Sequence, residues 1–116
     1  MTLYSLTDDG HRGVLAPWVV TLADGQPPRP HLTRISAEGT EEVPMPAVGE
    51  IHRWKNFGAM TDGKTLVSFE LATDKIQWVR VFPGGDLRIL PGPNEGTLMF
   101  VSHDREVFDE FGRPIK

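Results

Sequence analysis

A chain of 116 residues, 39% hydrophobic and 24% charged, can bury a core of its own and is too apolar to be a disordered segment. The absence of cysteine excludes a disulfide framework, a thiolate metal site and a thiol nucleophile. A net charge of −4, with 12 basic residues scattered among 16 acidic ones, argues against nucleic-acid binding and permits a basic partner.

The N-terminal residues lack the basic and apolar regions of a signal peptide. The longest apolar run, residues 14–22, contains Pro17 and is too short to cross a bilayer. The expectation is a cytoplasmic protein with no membrane association.

Ten prolines and twelve glycines punctuate the chain and exclude long helices. Turn signals recur at Asp9-Gly10, Asp24-Gly25, Glu38-Gly39, Asp62-Gly63, Gly84-Gly85-Asp86 and Glu95-Gly96. Glycine supplies the positive φ of tight hairpin turns, and short β-prone segments lie between these positions. The fold class expected is mainly β: a single-domain antiparallel sandwich or small barrel of short strands, with at most one or two short helices.

In chain order, strands are predicted over residues 2–7, 14–22, 31–37 and, briefly, 41–45. Pro17 cannot donate to a ladder, so it marks an edge or a bulge in the second. Residues 26–30, Gln26-Pro27-Pro28-Arg29-Pro30, read as a stiff exposed loop. Residues 47–57 have Val48, Ile51 and Phe57 near helical spacing with Gly58 placed as a C-cap, which predicts one or two helical turns.

The clearest strand pair is residues 65–72 and 75–82, joined through Thr73-Asp74. Val67, Phe69 and Leu71 alternate with Leu66, Ser68 and Glu70, which predicts one buried face and one that is wet or only partly covered. Residues 86–90 and 97–102 follow as strands. Residues 104–111 fit a helix capped by Asp104, or a strand over residues 105–109 turning at Gly112; the strand is preferred.

Residues 107–115, Val-Phe-Asp-Glu-Phe-Gly-Arg-Pro-Ile, resemble the strand-turn core of the YD repeats in Rhs-type secreted shells. The resemblance covers nine residues, occurs once, and has Phe108 where the repeat has Tyr. It implies a shared turn and no further family property.

The chemistry-bearing residues form no catalytic motif. His11, His31, His52 and His103 are not spaced as metal-ligand pairs, so no metal and no cofactor is expected. Asp8-Asp9-Gly10-His11 reads as turn chemistry rather than a cation site. Ser102-His103-Asp104 contains the residue types of a triad, but neighbours in a strand point to opposite faces.

The candidate binding residues are His52, Arg53, Trp54, Lys55 and Phe57. Two aromatics, two cations and a histidine fall within a few residues, and Trp and Arg are enriched at binding hot spots. Two readings of this segment stay open: a surface that contacts a partner, or a plug in which Trp54 or Phe57 closes one end of the scaffold.

The leading functional expectation is a non-enzymatic protein-binding module of the inhibitor, immunity or adaptor kind, with a protein partner whose surface is basic. One alternative is an apolar-ligand binder whose cavity is lined by Trp18, Phe69, Trp78 and Phe100. A third is a small enzyme of unknown class.

Overall fold

The computed structural model describes residues 2–11, 13–21, 25 and 29–115. Among them lie twelve strands in chain order: β1 (Thr2–Leu3), β2 (Thr7–Asp8), β3 (Gly13–Val20), β4 (Arg29–Ser36), β5 (Gly39–Val43) and β6 (His52–Trp54). The remaining six are β7 (Phe57–Thr61), β8 (Thr65–Glu70), β9 (Ile76–Val81), β10 (Arg88–Pro91), β11 (Leu98–Val101) and β12 (Val107–Asp109). No helix occurs among the described residues, and therefore none long and apolar enough to cross a membrane.

The strands form three antiparallel sheets that follow one another along the chain. The first has the order β1-β3-β4-β5, with β2 also on β3; the second is β6-β7-β8-β9; the third is β10-β11-β12. The expected all-β antiparallel architecture is therefore what the chain adopts, as a sandwich and not a barrel.

The middle sheet is buried on two sides. Val67, Phe69 and Leu71 pack with Leu15, Leu32 and Val43 of the first sheet and with Ala47, Val48 and Ile51 of the connecting segment. Leu66, Ala59 and Trp54 face the other way, against Ile89, Leu98, Phe100 and Phe108 of the third sheet. The alternation read in residues 65–72 thus separates two apolar cores rather than a core from solvent.

Each of the six turn signals holds one glycine with positive φ, from 69° to 123°. That left-handed region is where a Cβ is costly, which explains the pairing of Asp or Glu with Gly between strands. Most predicted strands appear within two or three residues of their expected ends. Residues 107–109 form a strand, as preferred, and Gly112 follows in the turn with φ 77°. Residues 2–7 instead give two short strands, β1 and β2.

Pro17 explains that break. It lies in β3, an interior strand, opposite Leu32 of β4. Its carbonyl accepts from Tyr4 N–H (3.0 Å), on the side where β1 and β2 pair. The N–H and C=O of a strand residue point the same way, so the donor that Pro17 lacks faces the interruption between β1 and β2. Of the predicted loop at residues 26–30, Gln26, Pro27 and Pro28 lie outside the described residues, while Arg29 and Pro30 begin β4.

The helical turns expected over residues 47–57 are not formed. The end of that segment is β6, which pairs with β7 in the register Trp54 to Phe57 and His52 to Ala59. Gly58 is not a helix cap. A Cβ built there would lie 2.8 Å from Leu71 Cδ2 and 3.0 Å from Ile51 Cγ2, so glycine lets β7 pass close beneath the first core.

Candidate functional site

The five candidate residues occupy a hairpin whose two-residue loop is Lys55-Asn56. Lys55 takes the left-handed conformation (φ 51°) that lets so short a loop match the strand twist. Trp54 and Phe57 close the hairpin as a facing pair with ring centroids 4.8 Å apart.

The hairpin sends its side chains in different directions. Trp54 is only 3% exposed and belongs to the second core; among the described residues its Nε1 has no hydrogen-bond acceptor. Arg53, one position back, points to the opposite face. Its Nε donates to Lys55 O (3.2 Å) and its Nη1 to Asp8 O (3.3 Å), tying the hairpin to β2 of the first sheet. His52 is half-buried, Lys55 is exposed and Phe57 lies on the rim. Trp54 therefore has the burial of a plug, and the accessible part of the segment is Lys55, Phe57 and the outer side of Arg53.

The turn after β12 completes the cluster. Asp109 Oδ1 accepts from the N–H groups of Phe111 (3.0 Å) and Arg113 (2.9 Å), which folds residues 109–113 tightly. This places the Phe111 ring edge-on to Trp54 at 5.2 Å, at an interplanar angle of 83°. Phe111 remains 49% exposed, with the Arg113 guanidinium 4.7 Å above its ring.

Gly112 allows the contact with the middle sheet. Besides its positive φ, a Cβ there would sit 3.3 Å from the Trp78 ring, and its carbonyl accepts from Arg80 Nη1 (3.0 Å). Arg80 in turn lies 4.3 Å over Phe108 and 5.1 Å over Phe82. The segment set apart by its resemblance to a repeat turn and the segment set apart by its composition thus meet at one edge of the molecule. Phe111 and Arg113 were not among the site candidates, although the turn that presents them was visible.

A second polar constellation joins the first sheet to the middle one. Arg34 of β4 bonds the carboxylates of Asp9 and Asp74 and donates from Nη2 to Leu71 O (2.9 Å). Burial pushes the Asp9 carboxyl up, but the N–H groups of Gly13 and His11 and the Arg34 guanidinium outweigh it and hold the group below its ordinary value. Asp9 Oδ1 accepts from His11 N–H at 2.7 Å and Gly13 N–H at 3.1 Å, so Asp8-Asp9-Gly10-His11 is the turn that its sequence suggested. An open cleft of about 290 Å³ lies beside this node, rimmed by His11, Glu38 and Glu41. Its buried charges are already paired with one another, which makes them structural.

The Ser102-His103-Asp104 run is not assembled as a triad. His103 Nδ1 pairs with Asp86 Oδ2 (3.0 Å) rather than with Asp104, and Ser102 Oγ accepts from Glu106 N–H (3.2 Å). His31 stacks on Trp18 at 4.1 Å, with Nδ1 3.5 Å from Glu42 Oε2. Among the described residues no three His, Asp or Glu side chains are grouped to hold a metal ion. The four aromatics expected to line one cavity are divided: Phe69 is in the first core, Phe100 and Trp78 are at the second, and Trp18 is on the outer face of the first sheet.

No family model matches the chain, and no curated protein or solved structure is significantly similar to it.

Proposed function

We propose that this chain is a non-enzymatic protein-binding module, of the inhibitor, immunity or adaptor kind, whose contact surface is the rim formed by Phe57, Lys55, Phe111 and Arg113. The observation that carries the reading is Phe111. Its ring makes a T-shaped contact with Trp54 and has the Arg113 guanidinium over it, yet half of it is open to solvent. An aromatic side chain fixed before binding loses little entropy on contact, and aromatic–arginine clusters are what interface hot spots are made of.

The net charge of −4 favours the approach of a basic partner at long range, while Phe111 and Arg113 make the close contacts. The buried Trp54 is the support of this surface and not its contact residue.

The test compares the wild-type chain with a Phe111→Ala/Arg113→Ala variant as immobilised bait in native lysate. A stoichiometric partner should bind the wild type and lose affinity for the variant by on the order of 2 kcal/mol. Far-UV circular dichroism of the two proteins should coincide. A partner retained equally by both places the contact elsewhere and overturns the proposal.

A further inference from the structure

Ile89, Phe100 and Phe108 of the third sheet pack into the second core. By alternation Arg88, Leu90 and Val101 stand on the opposite, outer face, where Arg88 is the cross-strand partner of Val101. An open cleft of about 530 Å³ lies on that face. Its walls are these three residues of the sheet, Ser102, His103 and Arg105 of the turn after β11, and Asp86 of the segment before β10.

Two of the four non-glycine residues with positive φ among the described residues meet here, Asp86 (φ 52°) and Arg105 (φ 63°). The turn after β12 shows what is unusual about Arg105. Both turns close with the same two backbone bonds. Ser102 N–H donates to Glu106 O (3.0 Å) and Arg105 N–H to Ser102 O (2.9 Å); Asp109 N–H donates to Arg113 O (2.8 Å) and Gly112 N–H to Asp109 O (2.9 Å). The left-handed position is glycine in one turn and arginine in the other. A Cβ is costly there, so Arg105 stands in the cleft on a backbone conformation that glycine would adopt more easily.

The polar groups of the cleft divide by their partners. Asp86 Oδ2 is occupied by His103 Nδ1 (3.0 Å), and Gly84 admits that side chain, since a Cβ there would lie 3.3 Å from His103 Cβ. Ser102 Oγ accepts from Glu106 N–H (3.2 Å) and keeps its own proton to donate. Arg88 and Arg105 form no ion pair among the described residues. In a chain of net charge −4, two unpaired guanidinium groups in one cleft are a local reversal of sign.

We propose that this cleft binds the phosphate monoester of a small organic molecule, with Arg88 and Arg105 on the phosphate and Leu90 and Val101 against the organic part. Near neutral pH a phosphate monoester carries about two negative charges and three acceptor oxygens, which match two guanidinium groups and the Ser102 hydroxyl. A carboxylate offers less charge and fewer oxygens. A bare phosphate ion leaves the apolar wall of the cleft uncovered. The cleft lies at the opposite end of β12 from Phe111 and is independent of the proposed partner surface.

Amide-shift titrations of the nitrogen-labelled protein with phenyl phosphate, inorganic phosphate and benzoate test it. Phenyl phosphate should bind saturably, in the millimolar range or tighter, and shift the amides of Arg88 and residues 102–106. Inorganic phosphate should bind several-fold more weakly, and benzoate about tenfold more weakly. Arg105→Gly should weaken phenyl phosphate binding about tenfold or more while its urea midpoint holds or rises, because glycine relieves the left-handed backbone. Should Arg105→Gly lower the midpoint instead, Arg88→Gln carries the test, since it leaves the turn untouched and should weaken binding as much. Arg29→Gln, which removes a cation from the first sheet, should leave binding unchanged. A wild type that shows no saturable shift at these amides overturns the proposal. So does benzoate or inorganic phosphate binding as tightly as phenyl phosphate, full binding by Arg88→Gln, or equal weakening by Arg29→Gln.

Discussion

The two faces of the middle sheet are packed by different chemistry. Towards the first sheet the contacts are mainly aliphatic, around Leu15, Leu32, Met60 and Val67, and the seam is locked by Arg34 between Asp9 and Asp74. Towards the third sheet aromatic rings join the aliphatic side chains, in T-shaped pairs of Phe100 with Trp78, Phe108 with Phe82 and Phe111 with Trp54. An aliphatic seam has little directional preference, so a buried ion cluster gives its register specificity. Aromatic pairs carry their own preferred geometry and need no such lock. The difference also explains where an accessible aromatic arises: the second seam runs out at its edge as Phe111.

The comparison breaks most visibly if either core is emptied. Phe69→Ala and Phe100→Ala each remove a fully buried ring, one on either side of the middle sheet. Each should cost about 3–5 kcal/mol. Because the two cores share β7 and β8, urea unfolding followed by fluorescence and by circular dichroism should stay a single transition in each variant. Two separated transitions would mean that the seams fold independently.

Removing the lock should cost less. Arg34→Met leaves the carboxylates of Asp9 and Asp74 without their shared cation, a loss of about 3 kcal/mol by chemical denaturation. Arg80→Met, over the aromatic seam, should cost under about 1 kcal/mol because its guanidinium is near the surface. Equal losses would erase the contrast between the seams.

The acid limb sharpens it further. The Asp9 carboxyl is held below its ordinary value of 3.8 in the folded chain. Its contribution is therefore fully present above that value and is lost as pH falls through the lower folded-state value. Asp9→Asn should be less stable than the wild type at pH 7, and its stability should fall less steeply below pH 4 (approximate ordinary carboxylate range). Parallel acid profiles would contradict the assignment.

Local chemistry made much of this fold legible. The turns at Asp62-Gly63 and Glu95-Gly96 are legible because a positive φ demands glycine whatever surrounds it. The β8–β9 hairpin is legible because alternation reports two faces. What alternation cannot report is what each face meets, and here both faces of β8 meet other sheets. β7 escaped notice because Gly58, Ala59 and Met60 have no β-branched side chain, and Gly58 serves close packing rather than a turn.

The candidate site was legible as composition and not as orientation. Trp54 and Arg53 are neighbours, but only the arrival of Phe111, far along the chain, decides which of them is covered. The same holds for Arg34, whose two carboxylate partners lie 25 and 40 residues away.

The account turns on one claim, that Trp54 is the support and Phe111 the accessible surface. Urea midpoints of Trp54→Ala and Phe111→Ala, measured side by side, test it most directly. Trp54→Ala should leave a cavity in the second core and lose about 3–5 kcal/mol. Phe111→Ala should lose under about 1 kcal/mol, because half of its ring is already in water. A small loss for Trp54→Ala together with a large one for Phe111→Ala would exchange the two roles and contradict the account.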